Sequence, residues 1–401
     1  MEFAFAPQDP GFIADPYPVY ARMRERAPIW YHEPTDHWLV SRYADVNALL
    51  RDRRFGRTYH HVATPADMGR LPEPSWHGPF WHLIRNGILD MEPPDHPRVR
   101  ALVSKAFTPK MVEGMRDRVQ RMTDALVEDV SGGGAFDLIS MLAEPLPVAV
   151  IAELLGVPEA DRDLLRPWSA NICGMYELNP SEETARIAVQ ACVEFSDYLR
   201  ALSRERRAAP RDDLISALAR VVDDDERLSE DELIGTCVLL LNAGHEATVN
   251  VTGNGWWSLF RNPAELAKLR ADHTLVPRAI EELMRWDTPL QMFERWVLED
   301  VDICGARVPK GAELGLLFGS SNRDAAVFDR PDELDIERAP NPHVSFGAGV
   351  HFCLGAALAR LELETSFATV LRRLPAMTLL EEPAWKPNYI IRGLRELRVA
   401  A

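Results

Sequence analysis

The stretch Phe346-Gly347-Ala348-Gly349-Val350-His351-Phe352-Cys353-Leu354-Gly355 runs straight into Ala356-Ala357-Leu358-Ala359-Arg360, a segment of helical composition. A loop that feeds a helix N-terminus offers amide donors and the positive end of the helix dipole, the surround that stabilises a thiolate. Gly347, Gly349 and Gly355 leave room for something flat to approach the backbone. The pattern points to a cysteine that binds a planar metallocofactor through sulfur. The competing reading is a buried structural cysteine, the ordinary fate of a lone Cys in a loop. The aromatic residue, the glycines, the basic residue and the following small-residue helix argue against it.

The string FGAGVHFCLG resembles the haem-thiolate signature of the cytochrome P450 family at every defining position. The resemblance implies haem b as cofactor, Cys353 as the axial iron ligand, and His351 as a hydrogen-bond donor to a haem propionate, with Phe346, Gly349 and Gly355 shaping the loop. It also implies the fold: a mainly α, triangular helical domain with small β-sheets, the haem lying between a central long helix and the Cys loop.

Composition sets the bounds. A chain of 401 residues suggests about two or three domains on length alone, whereas the resemblance spans the whole chain and implies one domain, 1–401. Lysine and arginine total 45 against 61 acids, a formal net charge of -16, so nucleic-acid binding is not expected. The early sequence has acids and prolines and no signal-peptide pattern. Apolar runs such as Cys237 to Leu241 fall far short of the roughly 20 residues of a membrane span. A cytoplasmic protein without membrane contact is expected. The five cysteines include no CxxC pair, so neither a disulfide framework nor a zinc-finger pattern is indicated.

Most of the chain reads as helix, with short strands at Trp38 to Ser41, Trp296 to Ile303 and Leu314 to Gly319. Residues 56 to 97 carry seven prolines interleaved with Trp76, Phe80, Trp81 and Ile84, and read as a long loop covering a pocket. Residues 330 to 343 form a second irregular path, and Gly132 to Gly134 a turn between helices.

Ser229-Glu230-Asp231-Glu232 has the form of a capping box. The apolar run beyond it continues to Asn262-Pro263 and predicts a helix of roughly 30 residues, about 45 to 50 Å long. Its middle carries Asn242, His245, Glu246, Thr248 and Asn250 around the small Ala243 and Gly244. Such polarity inside a buried helix marks either a water-satisfied kink or a proton route. Ala243-Gly244-His245-Glu246 resembles the family's oxygen-binding segment, and the resemblance makes Ala243, Gly244, Glu246, Ala247 and Thr248 the catalytic candidates. The family pattern places threonine directly after the acid; this chain has Ala247 there and Thr248 one place later. In the usual arrangement that hydroxyl stabilises bound dioxygen and guides protons. A helix neighbour lies about 100° away round the axis, so Thr248 is no simple replacement. Substrate-assisted proton delivery, with Glu246 and Thr248 supporting a water network, is the resulting expectation.

Glu282 and Arg285 sit at i,i+3 on a short helix, which by itself describes an exposed ion pair. They resemble the family's ExxR motif, a buried structural network with Arg338 as its third member. His96 and Arg100, at i,i+4, read alone as a solvated helix start; they resemble the HxxxR pattern, and with Arg295 and His351 give four cations for two propionates. By family position, Leu290, Gln291, Met292, Phe293, Ile390 and Ile391 join Trp76, Phe80, Trp81 and Ile84 as pocket candidates. His60, His61, His77 and His82 lack metal-ligand spacing and read as loop surface.

The resemblance implies a monooxygenase that inserts one atom of O2 into an organic molecule, which the candidate pocket residues suggest is bulky and largely apolar. A separate ferredoxin and an NAD(P)H-dependent ferredoxin reductase would supply electrons to a monomeric enzyme, since no flavin or iron-sulfur module is evident. Two alternatives stay open: an oxidase performing coupling, ring closure or desaturation, and a non-catalytic haem-binding protein.

Overall fold

The computed structural model describes residues 3–221 and 227–401. The chain divides into two compact units, each assembled from separated stretches. One comprises Arg57–Val119 and Leu146–Glu246; the other comprises Met1–Gly56, Gln120–Pro145 and Ala247–Ala401.

The first unit contains no strand among the described residues. Its helices include α1 (Gly78–Arg85), α2 (Asp95–Ala106), α3 (Arg162–Cys173) and α4 (Glu182–Ala208). Helix α1 corrects the expectation of a structureless loop over 56 to 97. Pro79 stands in its first turn, where its fixed φ starts a helix, and Phe80, Leu83 and Ile84 bury one face. Ser181 caps α4 by accepting from the Thr184 amide at 3.1 Å. Trp168 of α3 stacks on Phe195 of α4 with ring centroids 5.1 Å apart.

Helix α5 (Glu230–Arg261) is 32 residues long, and the capping box that opens it is formed in both directions. The Ser229 amide donates to Glu232 Oε2 at 2.8 Å, and the Glu232 amide donates to Ser229 Oγ at 3.1 Å. One turn later a Cβ on Gly235 would lie 2.7 Å from the Asn86 carbonyl carbon, so only glycine lets α5 lie this close to the end of α1. The helix gives residues through Glu246 to the first unit and the remainder to the second.

The second unit holds every strand described. They are β1 (Ile29–His32), β2 (His37–Val40), β3 (Phe55–Gly56), β4 (Ala135–Asp137), β5 (Met292–Val297), β6 (Val301–Ile303), β7 (Ala306–Val308), β8 (Glu313–Leu317), β9 (Thr378–Leu379) and β10 (Arg398–Ala400). Five form a mixed sheet in the order β1-β2-β8-β5-β3, with β2 and β8 parallel and the other pairs antiparallel. Strand β10 lies between β4 and β9, and β6 pairs with β7. The strand expected over Trp296 to Ile303 is two strands, because the chain turns after Val297. The one expected over Leu314 to Gly319 ends at Leu317, where Phe318–Ser321 coils into a helical turn. Gly133 and Gly134 take positive φ, as expected of a turn, yet lead into β4 and not into a helix.

Helices α6 (Val276–Trp286) and α7 (Ala356–Arg373) complete the elements that position the site. Trp256 of α5 stacks on Phe367 of α7 at 5.0 Å, with Gly255 keeping the contact close. The fold is mainly helical with small mixed sheets. No helix among the described residues is long and apolar enough to cross a membrane.

Candidate active site

The Cys353 loop folds back on itself through backbone hydrogen bonds. The Gly347 amide donates to Val344 at 2.8 Å, Phe352 to Gly349 at 3.1 Å, and Cys353 to Phe346 at 2.9 Å. Gly349 has φ +71°, and a Cβ there would lie 2.4 Å from the Leu50 carbonyl oxygen, so conformation and packing both require glycine. Gly355 is the N-cap of α7. A Cβ placed on it would stand 4.0 Å from Cys353 Sγ, which sets the sulfur beside the N-terminus of an 18-residue helix.

Two ion-pair systems hold this loop. Arg360 of α7 lies over the Phe346 ring at 4.5 Å and grips Glu281 of α6 through both nitrogens, at 2.6 and 2.9 Å. Burial works against the Glu281 charge, but hydrogen bonds from Arg360 and His343 outweigh it and bring its pKa down to about 2. The second system is Glu282, wholly buried, whose oxygens accept from Arg285, from Arg338 at 3.1 and 3.2 Å, from Asn341 at 3.1 Å and from the Asp335 amide at 2.9 Å. Arg285 spends its remaining donors on the carbonyls of Asn322, Pro331 and Glu333. Asn322 in turn bonds Val344 and Ser345, the residues that lead into the loop.

Arg295 on β5 is 2% exposed, donates to the Glu294 carbonyl at 2.9 Å and lies over the Phe293 ring at 4.7 Å. His351 ends a short helical turn in the Cys loop and is half-buried. The second unit thus carries Cys353, His351 and Arg295, while His96, buried, and Arg100 belong to α2 of the first. The chain crossing at Leu290 and Ile391 brings together two segments expected near the pocket, with the Gln291 amide donating to Ile390. The Gln291 side-chain amide donates to the Thr288 carbonyl at 2.7 Å and accepts from the Tyr20 hydroxyl at 3.2 Å. Met292 is buried, its sulfur packed over Gly315.

In the middle of α5 the burial pattern breaks. Leu239, Ala243 and Ala247, at i,i+4 spacing, stay accessible while Cys237, Val238, Leu241, Asn242, His245 and Thr248 are buried. A Cβ on Gly244 would meet only Ile151, at 4.0 Å, so this stretch is loosely covered within its own unit. Glu246 is half-buried, with Oε1 3.7 Å from His245 Nδ1, which also approaches Ser169 Oγ at 3.4 Å.

Beside this stretch the first unit has a small cleft lined by Ile84, Leu89, Asp90, Tyr176, Val238, Leu239 and Asn242 among others. Asn242 is 3% exposed, and neither atom of its side-chain amide has a hydrogen-bond partner among the described residues. Buried amides left so are costly, and the cleft is where a partner would come from. Burial holds the Tyr176 phenol protonated far above its ordinary range. Of the aromatic candidates, Phe80 is buried, Trp76 carries Arg186 on its ring at 4.8 Å, and Trp81 carries Arg85 at 5.5 Å. Of that group Ile84 lines the cleft. Sequence reading missed Tyr176 and Asp90, and read Asn242 only as helix polarity. The available signal was that Gly235, Val238, Leu239 and Asn242 share one face of α5.

The second unit by itself fits haem b: it holds one soft sulfur donor, Cys353, beside Gly355 at a helix N-terminus, and the cationic Arg295 and His351 suited to carboxylates. The model of the family described as cytochrome P450 matches residues 75–383. The chain belongs to the cytochrome P450 family. It is 40% identical to cytochrome P450 107B1 of Saccharopolyspora erythraea, over 98% of this chain and 96% of that one. It is 37% identical to 6-deoxyerythronolide B hydroxylase of the same organism, over 97% and 96%. The crystal structure of CYP109E1 from Bacillus megaterium with testosterone superposes with a TM-score of 0.83 at 32% identity, over 96% of this chain and 99% of that one. The protein is a haem-thiolate monooxygenase, an oxidoreductase that uses haem b and O2 on small apolar organic molecules.

Proposed function

We propose that Cys353 ligates the haem iron, that His351, Arg295, His96 and Arg100 meet the propionates, and that Glu282, Arg285 and Arg338 brace the loop. The observation that carries this reading is the sulfur of Cys353 beside Gly355 at the head of α7, in a loop where Gly349 leaves no room for a side chain. When bound, the haem activates O2, so that one atom enters the substrate and the other leaves as water on delivery of two electrons and two protons.

Ala247 brings no hydroxyl, and Thr248 points elsewhere round the helix. Glu246 then holds the proton at its carboxylate, Thr248 supports the water beside it, and a hydroxyl on the substrate completes the route. Asn242 orients that substrate by offering its amide to an oxygen function. One relative is named for hydroxylating 6-deoxyerythronolide B, and a similar structure holds testosterone. We extend to this chain a substrate of that bulk: a largely apolar natural-product intermediate with a hydroxyl near the reacting carbon. Electrons come from a separate ferredoxin and its NAD(P)H-dependent reductase in the cytoplasm, and residues 1–401 act as one catalytic domain in a monomer.

A second reading, oxidation without oxygen insertion by coupling, ring closure or desaturation, is favoured by Ala247 alone. Turnover with reconstituted redox proteins and NAD(P)H decides between them by product mass: gain of one oxygen supports the proposal, and loss of hydrogen supports the second reading. No turnover leaves a haem-binding protein. Cys353→Ser should abolish the red-shifted Soret band of the reduced carbon monoxide complex. Ala247→Thr should raise product per NAD(P)H for a deoxy analogue while leaving the hydroxylated substrate little changed. Equal yields from wild type and variant on both substrates would refute substrate assistance.

A further inference from the structure

The cleft beside α5 lies wholly within the first unit. Its walls are the end of α1 with Leu83 and Ile84, the chain at Asp90, Tyr176 beyond α3, and the face of α5 that carries Val238 and Asn242. One end is closed, because the chain leaving α1 touches α5 backbone to backbone. A Cβ on Gly87 would lie 3.3 Å from the Gly235 carbonyl oxygen. The walls are mostly hydrocarbon, and the polar groups set among them decide what can enter.

Asn242 makes the sharpest demand. It is buried, and both Nδ2 and Oδ1 lack a hydrogen-bond partner among the described residues. The amide thus asks for an acceptor and a donor together. A ketone, ester or ether oxygen accepts from Nδ2 and leaves Oδ1 buried with nothing to accept. A carboxylate does the same and also brings a charge. Among the described residues lining the cleft none is cationic. The charge present is the Asp90 carboxylate, which Arg57 pairs at 3.1 Å, and burial keeps the Tyr176 phenol protonated. A carboxylate would therefore be desolvated there without a counter-charge of its own. A hydroxyl accepts from Nδ2 and donates to Oδ1 through one oxygen, so it satisfies both atoms.

We propose that this cleft selects neutral alcohols: a substrate hydroxyl bridges Nδ2 and Oδ1 of Asn242 while the adjoining hydrocarbon lies against Leu83, Ile84 and Val238. The proposal rests on the cleft being part of the substrate's site, and it narrows the oxygen function at Asn242 to one that donates as well as accepts. Ketones, esters and fatty acids of the same bulk are then weaker ligands, because each leaves a buried acceptor unanswered. Asn242 is the specificity-determining residue between alcohol and ketone. The rejection of carboxylates has a different cause, the lack of a cation in the lining, and outlasts the loss of Asn242.

The test is titration calorimetry of haem-loaded protein with decan-2-ol, decan-2-one and decanoate, read alongside the Soret shift. Wild type should bind the alcohol about tenfold more tightly than the ketone, with decanoate weakest. Asn242→Leu should bring the alcohol down to the ketone and leave decanoate weak, its carbon monoxide spectrum confirming a loaded fold. The wild-type ranking needs no variant and stands whether or not that variant folds. Equal binding of alcohol and ketone by wild type, decanoate binding as tightly as the alcohol, or an alcohol preference that survives Asn242→Leu overturns the proposal. Failure of the haem-thiolate reading shows separately, as a wild-type carbon monoxide complex without the red-shifted Soret band. An alcohol preference by calorimetry with no Soret shift sets the ligand away from the haem and overturns the assignment of the cleft to the substrate.

Discussion

Arg285 sets its guanidinium fork on both oxygens of Glu282, at 2.7 and 2.8 Å, with both side chains wholly buried one turn apart on α6. A bidentate pair so enclosed is strong only while complete, because removing one partner strands the other charge. Glu282→Ala should cost about 3–5 kcal/mol. The checks are the denaturant midpoint and the fraction of protein retaining haem; unchanged values would remove this pair from the support of the Cys loop.

Glu281 gives a pH signature. Its pKa is held at about 2 against an ordinary 4.5, so it stabilises the fold above the unfolded value, and that contribution is lost as pH falls from about 4.5 through about 2. Glu281 and Arg360 are partly exposed and screened by water, which limits the effect to about 1 kcal/mol. Glu281→Gln should flatten the acid limb of the stability curve in that window, as read by thermal melts across pH.

Glu362 of α7 behaves oppositely. Burial alone raises its carboxyl well above 4.5, and Oε2 has no partner among the described residues. Below the unfolded pKa both states hold the proton; above it only the folded state does, so stability declines as pH rises toward the folded pKa. Glu362→Gln keeps the shape without the titration. It should raise stability at neutral pH and remove the slope above pH about 4.5 in denaturant titrations.

Asn242→Leu removes the buried amide whose two polar atoms lack partners among the described residues. If the amide waits for substrate, the variant should be more stable without ligand by about 1 kcal/mol and bind an oxygenated substrate about tenfold more weakly. A purely hydrocarbon ligand should bind equally well. Soret-shift titrations measure both affinities, and equal losses for the two ligands would count against a polar contact.

Much of the site was legible because its chemistry is local in sequence. The Cys353 loop, the Ser229 capping box and the Glu282–Arg285 spacing each fall within a few turns of chain, where backbone geometry alone sets what meets what. The segment over 56 to 97 was misread because Pro79 counts as a breaker by composition yet opens α1 by position. The hydrogen-bond partners of Gln291 were not legible: Tyr17 and Tyr20 lie more than 270 positions away, and no local pattern announces them.

The sequence by itself determined the family, the cofactor and the departure at Ala247, since these rest on residue type and short spacing. Tertiary structure decided the rest. Whether Glu282 is an exposed ion pair or a buried knot, whether Asn242 faces a cleft, and whether Leu290 meets Ile391 all depend on pairings between distant segments. Strand register and helix packing fix those pairings, and they arise from the cooperative burial of the whole chain rather than from any stretch of it.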